Sequence, residues 1–230
     1  MNPIILNKEV QGFINSNLKS DITKLILKGN PFDAVTIQEI AEQIEAKKKC
    51  EKKLPTWFQT KNIYYPTRLN IEQTSSEITA NYKAKLISGN SLVDITGGFG
   101  VDVYCFSQKV KHITHVEISQ ELSEIVAYNN KQLNVKNIQT HIGDGLEYLK
   151  ESSEKFDWIY TDPSRRNDTK GKVFLLEDCL PNIPENLDLM FDKSTNILIK
   201  ISPFLDITSA IKELKFVKEI HVVEIGRAHV

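Results

Sequence analysis

The sequence predicts an α/β protein: a doubly wound, mostly parallel sheet with a helical cap before it. Three observations predict this. From residue 89 onward, short apolar runs alternate with stretches of helical periodicity, which implies a parallel sheet covered on both faces. The first apolar run ends in a glycine turn, Asp94-Ile95-Thr96-Gly97-Gly98-Phe99-Gly100, with a helix pattern directly after it. Before residue 88, strand signals are sparse and apolar residues recur at helical spacing.

The elements follow in order. Val10, Phe13, Ile14, Leu18, Ile22, Leu25 and Ile26 share one helical face, which Gly29-Asn30-Pro31 ends. Thr36 with Glu39 three residues on forms a capping box for a second helix, running towards Lys47-Lys48-Lys49. Residues 50–70 read as irregular and aromatic, and 74–86 as helix. Strands are then expected at 91–95, 112–117, 138–141, 156–160, 196–201 and 219–224. Helices are expected at 101–110, 120–133, 146–150 and 207–214. Right-handed crossovers make such a sheet doubly wound, with its ligand crevice at the carboxyl ends of the strands. This divides the chain into a cap over 1–88, a sheet domain over 89–224 and a tail over 225–230.

Composition excludes several classes. With 40% hydrophobic and 26% charged residues, the chain can bury a core and is not disordered throughout. A net charge of -1 gives no whole-chain attraction to nucleic acid or anionic membrane, so any basic surface is local. Cys50, Cys105 and Cys179 are far apart and form no CxxC pair, which fits reduced thiols and no metal site. No apolar run approaches the ~20 residues of a membrane span. The N-terminus lacks a signal-peptide pattern, so a cytoplasmic location is expected.

The glycine turn, Glu117, Asp144 and the Asp162 loop each fall at the carboxyl end of an expected strand. Thr96, Gly97, Gly98 and Gly100 form a turn that lets a ligand approach the backbone. Asp94 stands just before it. A carboxylate there would repel a dinucleotide pyrophosphate but attract the sulfonium and ammonium of S-adenosylmethionine. Glu117, 23 residues after Asp94, suits ribose hydroxyls. Asp144, in Gly143-Asp144-Gly145, suits the adenine amino group, and equally suits capping the next helix. Asp102 is a fourth acidic candidate that a helix-dipole role explains as well.

Asp162-Pro163-Ser164-Arg165-Arg166 follows the fourth strand, and proline stiffens the loop. The run resembles the Asp/Asn-Pro-Pro-aromatic loop of amino-methyltransferases, in which the acid or amide side chain and a backbone carbonyl hold the target amine. Here Ser164 stands for the second proline and Arg165 for the aromatic that stacks on a flipped base. Arg165 can itself stack or hold phosphate. The expected catalytic set is Asp162, Pro163, Ser164 and Arg165. In-line methyl transfer needs chiefly alignment and water exclusion, with Asp162 free to take the proton late.

Asp94–Gly100, Asp162–Arg166 and Ile199-Lys200-Ile201-Ser202-Pro203 together resemble a bacterial family of class I methyltransferases. Its members carry a ferredoxin-like segment and a THUMP-like domain and are taken to act on RNA. The run from Glu72 to Ala84 is similar to that family's motif ahead of the glycine turn. The resemblance implies a Rossmann-like methyltransferase sheet, and roles for Gln73, Ser75, Ser76 and Lys83 near the methionine end of the cofactor. It covers residues ~50 to ~223. The tail Ile225-Gly226-Arg227-Ala228-His229-Val230 resembles read-through of a sequencing adapter, which would end the native frame near Val223. A seventh, antiparallel strand is then missing, so an open, aggregation-prone sheet edge is expected.

Residues 45–70 hold seven cations against two acids, Lys47 to Arg68, interleaved with Trp57, Phe58, Tyr64 and Tyr65. That pattern suits single-stranded RNA, and also suits aromatics packing the cap onto the sheet. The leading function is S-adenosylmethionine-dependent methyl transfer to an RNA base. The alternatives are an NAD-type oxidoreductase and a non-catalytic RNA-binding module.

Overall fold

The computed structural model describes residues 1–167, 171–172 and 175–224. Its main sheet comprises β1 (Gly89–Asp94), β2 (Val110–Glu117), β3 (Ile138–Ile142), β4 (Trp158–Thr161) and β5 (Ile197–Ile199). They lie in the order β3-β2-β1-β4-β5, every neighbouring pair parallel. Strand order reverses between β1 and β4, which opens the ligand crevice at their carboxyl ends.

The pleat sorts side chains onto two faces. Leu92, Ile113 and Tyr160 face a cluster shared with α7 (Val101–Phe106), α8 (Gln120–Gln132) and the N-terminal helices. Val93, Val116 and Ile159 face Leu149 of α9 (Gly145–Glu151) and Leu187 and Met190 of α10 (Leu187–Lys193). The expected α/β sheet with helices on both faces is therefore present.

The N-terminal half is helical, with more breaks than periodicity alone suggested. The expected run over 10–26 divides into α1 (Lys8–Ser16) and α2 (Ile22–Leu27), because Asp21 caps α2 by accepting from the Lys24 amide. The capping box is present: Thr36 Oγ1 accepts from the Glu39 amide at 3.1 Å, and Glu39 accepts from the Thr36 amide at 2.7 Å. It opens α3 (Ile37–Lys53), and Pro55 then starts α4 (Pro55–Gln59) inside the segment expected to be irregular. The helix expected over 74–86 is α6 (Glu77–Ala84), capped by Ser76, and a further helix, α5 (Arg68–Gln73), starts inside the segment expected to be irregular.

The strand expected at 219–224 is not formed. Residues 216–224 have no regular secondary structure, and Val222 is 80% exposed. An alternating apolar pattern becomes a strand only against a ladder partner, and β5 offers none there. After α11 (Ile207–Glu213) the chain does not return to the sheet. Among the described residues β5 therefore has one neighbour, and the sheet edge is open there. The tail 225–230 lies outside the described residues. Amide exchange is expected to be faster in β5 than in β1, which is paired on both sides; equal protection by hydrogen-exchange mass spectrometry would contradict this.

Cys50, Cys105 and Cys179 are buried free thiols. Among the described residues, no helix is long and apolar enough to cross a membrane, and no cluster of metal-ligating side chains occurs.

Candidate functional site

The turn after β1 is held open by its neighbours. Asp94 ends β1 and is 1% exposed; its Oδ1 accepts from the Thr96 amide at 2.9 Å and the Thr96 hydroxyl at 3.2 Å. That hydroxyl in turn accepts from the Asp162 amide at 2.7 Å, tying the end of β1 to the loop after β4. Gly98 and Gly100 have φ of 68° and 75°, the left-handed region that favours glycine. Gly97 lies so close to β2 that a Cβ there would sit 2.7 Å from the Val116 carbonyl oxygen. Glu117 clasps the turn: its carboxylate accepts from the Gly98 amide at 2.6 Å and from the Ser119 amide at 2.8 Å. His115 is fully buried beside Gly97, and burial pushes its pKa down to about 4, so the ring is neutral.

A buried polar cluster backs the turn. Lys83 of α6 pairs with Asp102 of α7 at 2.6 Å and donates to Ser75 Oγ at 2.9 Å and to the Tyr160 hydroxyl at 2.7 Å. Ser75 and Tyr160 each donate to Asp102 Oδ2 at 2.8 Å. Burial lowers the Lys83 pKa, with Asp102 opposing. The structure thus brings Ser75, Lys83 and Asp102 together and adds Tyr160, which the sequence presents only as a strand residue.

In the loop after β4, Asp162 forms an ion pair with Lys200, which follows β5. Burial raises the Asp162 pKa, and Lys200, then Lys83, pull against it. Pro163 is buried, Ser164 is exposed, and the Ser164 backbone exchanges hydrogen bonds with Leu180 at 2.7 and 3.0 Å. The Arg165 guanidinium lies over the Phe204 ring, 4.8 Å from its centroid. Lys200 stands inside the Ile199–Pro203 motif, yet no spacing argument gave it a role; only its place after β5, opposite Asp162, does so.

Other expected residues sit differently. Asp144 caps α9, its Oδ1 accepting from the Leu146 and Glu147 amides at 2.8 and 3.1 Å. Ser76 caps α6, and Gln73 is an exposed residue ending α5. The basic-aromatic segment is largely structural, the packing alternative of the two that its sequence allows, and its buried rings are not a stacking surface. Trp57, Tyr64 and Tyr65 are buried in the core, and Phe58 packs against it. Lys47 is buried, bonded to Asn15 at 2.7 Å; Lys49 and Arg68 pair with Glu72, and Arg68 also with Glu45. The residue pattern suited a base-binding surface or core packing, and these rings supply the apolar area joining helices to sheet.

The charge balance of the crevice is uneven. Asp94, Asp102 and Asp162 influence one another, while Lys83 and Lys200 neutralise the latter two. Among the described residues, no cation forms an ion pair with Asp94. Burial lifts its carboxyl well above the usual range, against the Thr96 hydrogen bonds, and Asp102 and Asp162 add to the lift. A cationic ligand fits such a site; an anionic one does not.

Comparison with known proteins identifies the family and the fold. A protein of Mycoplasma mobile named as an uncharacterized RNA methyltransferase is 27% identical over 154 residues, covering 64% of this chain and 42% of its own. The crystal structure of a provisionally named methyltransferase from Porphyromonas gingivalis W83 superposes with a TM-score of 0.73 at 28% identity, over 88% of this chain and 50% of its own. The chain thus spans about half the length of these relatives. The family model described as conserved hypothetical protein 95 matches residues 50–220. With that match over well over half its length, and an α/β Rossmann-like methyltransferase fold, the chain belongs to the conserved hypothetical protein 95 family.

Proposed function

We propose that this chain binds S-adenosylmethionine at the glycine turn and directs methyl transfer to a base of RNA. The observation that carries the reading is Asp94, a buried carboxylate without a cationic partner among the described residues, at the crevice end of β1. S-adenosylmethionine supplies an activated methyl group on a sulfonium centre. Gly97 and Gly98 let it approach, Glu117 accepts from ribose hydroxyls, and Asp144 accepts from the adenine amino group. Gln73, Ser76 and the Lys83–Asp102 pair serve the methionine end. Asp162 and a backbone carbonyl of the Pro163–Ser164 turn hold the target nitrogen, Arg165 stacks or holds phosphate, and Asp162 takes the proton late. Residues 1–88 act as the substrate-side cap of the sheet domain. RNA as substrate is supported by the name of the Mycoplasma mobile relative.

Calorimetry tests the cofactor: S-adenosylmethionine binding without NADH binding is expected, and the reverse would make the site that of an oxidoreductase. Nucleoside mass spectrometry on RNA from cells lacking the intact gene tests the substrate. A missing methylated nucleoside is expected; no difference, with no S-adenosylhomocysteine formed on bulk RNA, would favour a binding module.

Asp94 gives a further expected result. Its folded-state pKa is raised, so the folded chain holds that proton more tightly than the unfolded chain. The stabilisation is present below the unfolded value of about 3.9 and is lost as pH rises through the folded value. Asp94→Asn, which mimics the protonated form, is therefore expected to melt above the parent at pH 8, the gap closing towards pH 3. Its S-adenosylmethionine affinity should fall by roughly 10–100-fold. Thermal scans and calorimetry check both; a variant melting below its parent at pH 8 would show that burial of the charge is not destabilising.

A further inference from the structure

The loop after β4 lacks the aromatic that, in amino-methyltransferase loops of this kind, stacks on the target base. The structure places an aromatic beside it from a different strand. Phe204 follows β5 in the run Ile201-Ser202-Pro203-Phe204-Leu205, and its ring lies under the Arg165 guanidinium at 4.8 Å. Phe204 is 65% exposed, so most of the ring meets solvent. An exposed phenylalanine that packs on no core cluster gains little for the fold and offers apolar area for a ligand.

The ring is nevertheless held in place. Leu205, next to it, is 4% exposed and packs with Leu176 and Cys179, while Ile201 leans on the same cluster. The Leu205 amide donates to the Ser202 carbonyl at 3.0 Å, closing the turn that presents Phe204. On the facing loop, Pro163 is buried and the Ser164–Leu180 hydrogen bonds fix the backbone just before Arg165. Two anchored loops, at the carboxyl ends of the adjacent strands β4 and β5, thus present a stacked guanidinium and phenyl ring. The Asp162–Lys200 ion pair joins the same two loops.

We infer that Arg165 and Phe204 form a stacking platform for an unpaired nucleobase of single-stranded RNA, with Phe204 taking the part of the aromatic absent from the Asp162–Arg166 loop. The inference rests on the proposed RNA methyl transfer and extends it to how the base is held. The chemistry is complementary: the phenyl face stacks on any base, and the guanidinium stacks or meets a phosphate. The buried aromatics of the basic segment cannot do this; Phe204 is in the open.

The test uses the full chain and two fluorescein-labelled probes, a short single-stranded oligoadenosine and an abasic oligonucleotide of equal length. Phe204→Ala is expected to weaken oligoadenosine binding about tenfold. It should leave the abasic probe, S-adenosylmethionine affinity and melting temperature unchanged. Phe204→Trp should restore binding, its indole fluorescence falling as the base stacks. Arg165→Ala should weaken both probes and flatten the salt dependence of binding. Unchanged oligoadenosine binding by Phe204→Ala, or an equal loss on the abasic probe, would overturn the platform while leaving the methyl-transfer reading intact. A parent chain that binds S-adenosylmethionine but neither probe would overturn the RNA reading and the platform with it.

Discussion

Gly145→Ala is expected to lower the melting temperature by roughly 6–12 °C. Gly145 opens α9 directly after Asp144, against the end of β1. A Cβ built there would lie 2.1 Å from the Ile95 carbonyl oxygen and 2.6 Å from the Ile95 Cβ. Those atoms cannot yield cheaply: the Ile95 amide donates to the Tyr160 carbonyl at 3.1 Å, continuing the β1–β4 ladder into the turn. Relief requires either α9 to lift from the sheet or Ile95 to leave Tyr160, and a destabilisation of about 3 kcal/mol follows. Gly12, in the middle of α1 with nothing within 4 Å of a built Cβ, is the control. Gly12→Ala should stabilise by about 0.5–1 kcal/mol, because alanine removes the conformational cost of glycine in a helix without a clash. Thermal denaturation of the two variants checks the contrast. A Gly145→Ala protein melting with its parent would mean that α9 is not seated on β1 as described.

Lys83→Met is expected to cost about 3–5 kcal/mol, because it leaves Asp102 as a charge without its counter-ion in a largely closed site. The side chains of Lys83 and Asp102 are 10% and 11% exposed, so water offers little compensation. Ser75 and Tyr160 would remain as neutral donors to the carboxylate, which softens the loss without removing it. The double variant Lys83→Met/Asp102→Asn removes both charges and should recover part of the stability. Urea denaturation of the single and double variants forms the cycle. Additive losses would mean that the two groups do not interact, and a neutral Lys83→Met would mean that the pair contributes nothing to the fold.

Most of the architecture was legible because period-2 and helical patterns report burial directly. The first five strands fall where short apolar runs end in polar turns, and the Thr36–Glu39 capping box is written in the sequence. What misled was pattern without partner. Residues 219–224 read like a strand, but pairing is a tertiary fact, and among the described residues nothing pairs with the edge of β5 that faces away from β4. The aromatics over 57–65 illustrate the same gap from the other side. Their identity suits a base or a core equally, and only packing assigns Trp57 and Tyr65 to the core. Within the site, acids at strand ends were visible because each closes an apolar run. Lys200, Tyr160 and Phe204 were not visible as site residues, because their relevance depends on β4 and β5 being neighbours.

The hydroxyl of Thr96 has one proton, and it goes to Asp94; the oxygen then accepts from the amide of Asp162. Donation to an anion makes a hydroxyl oxygen more electron-rich, and so a better acceptor. The grip on the loop after β4 is thus polarised by the charge state of a carboxylate at the end of a different strand. Protonating Asp94 weakens that grip, and a cation that keeps Asp94 ionised strengthens it. A single side-chain oxygen thus places the end of β1 and the loop after β4 on one hydrogen-bonded chain.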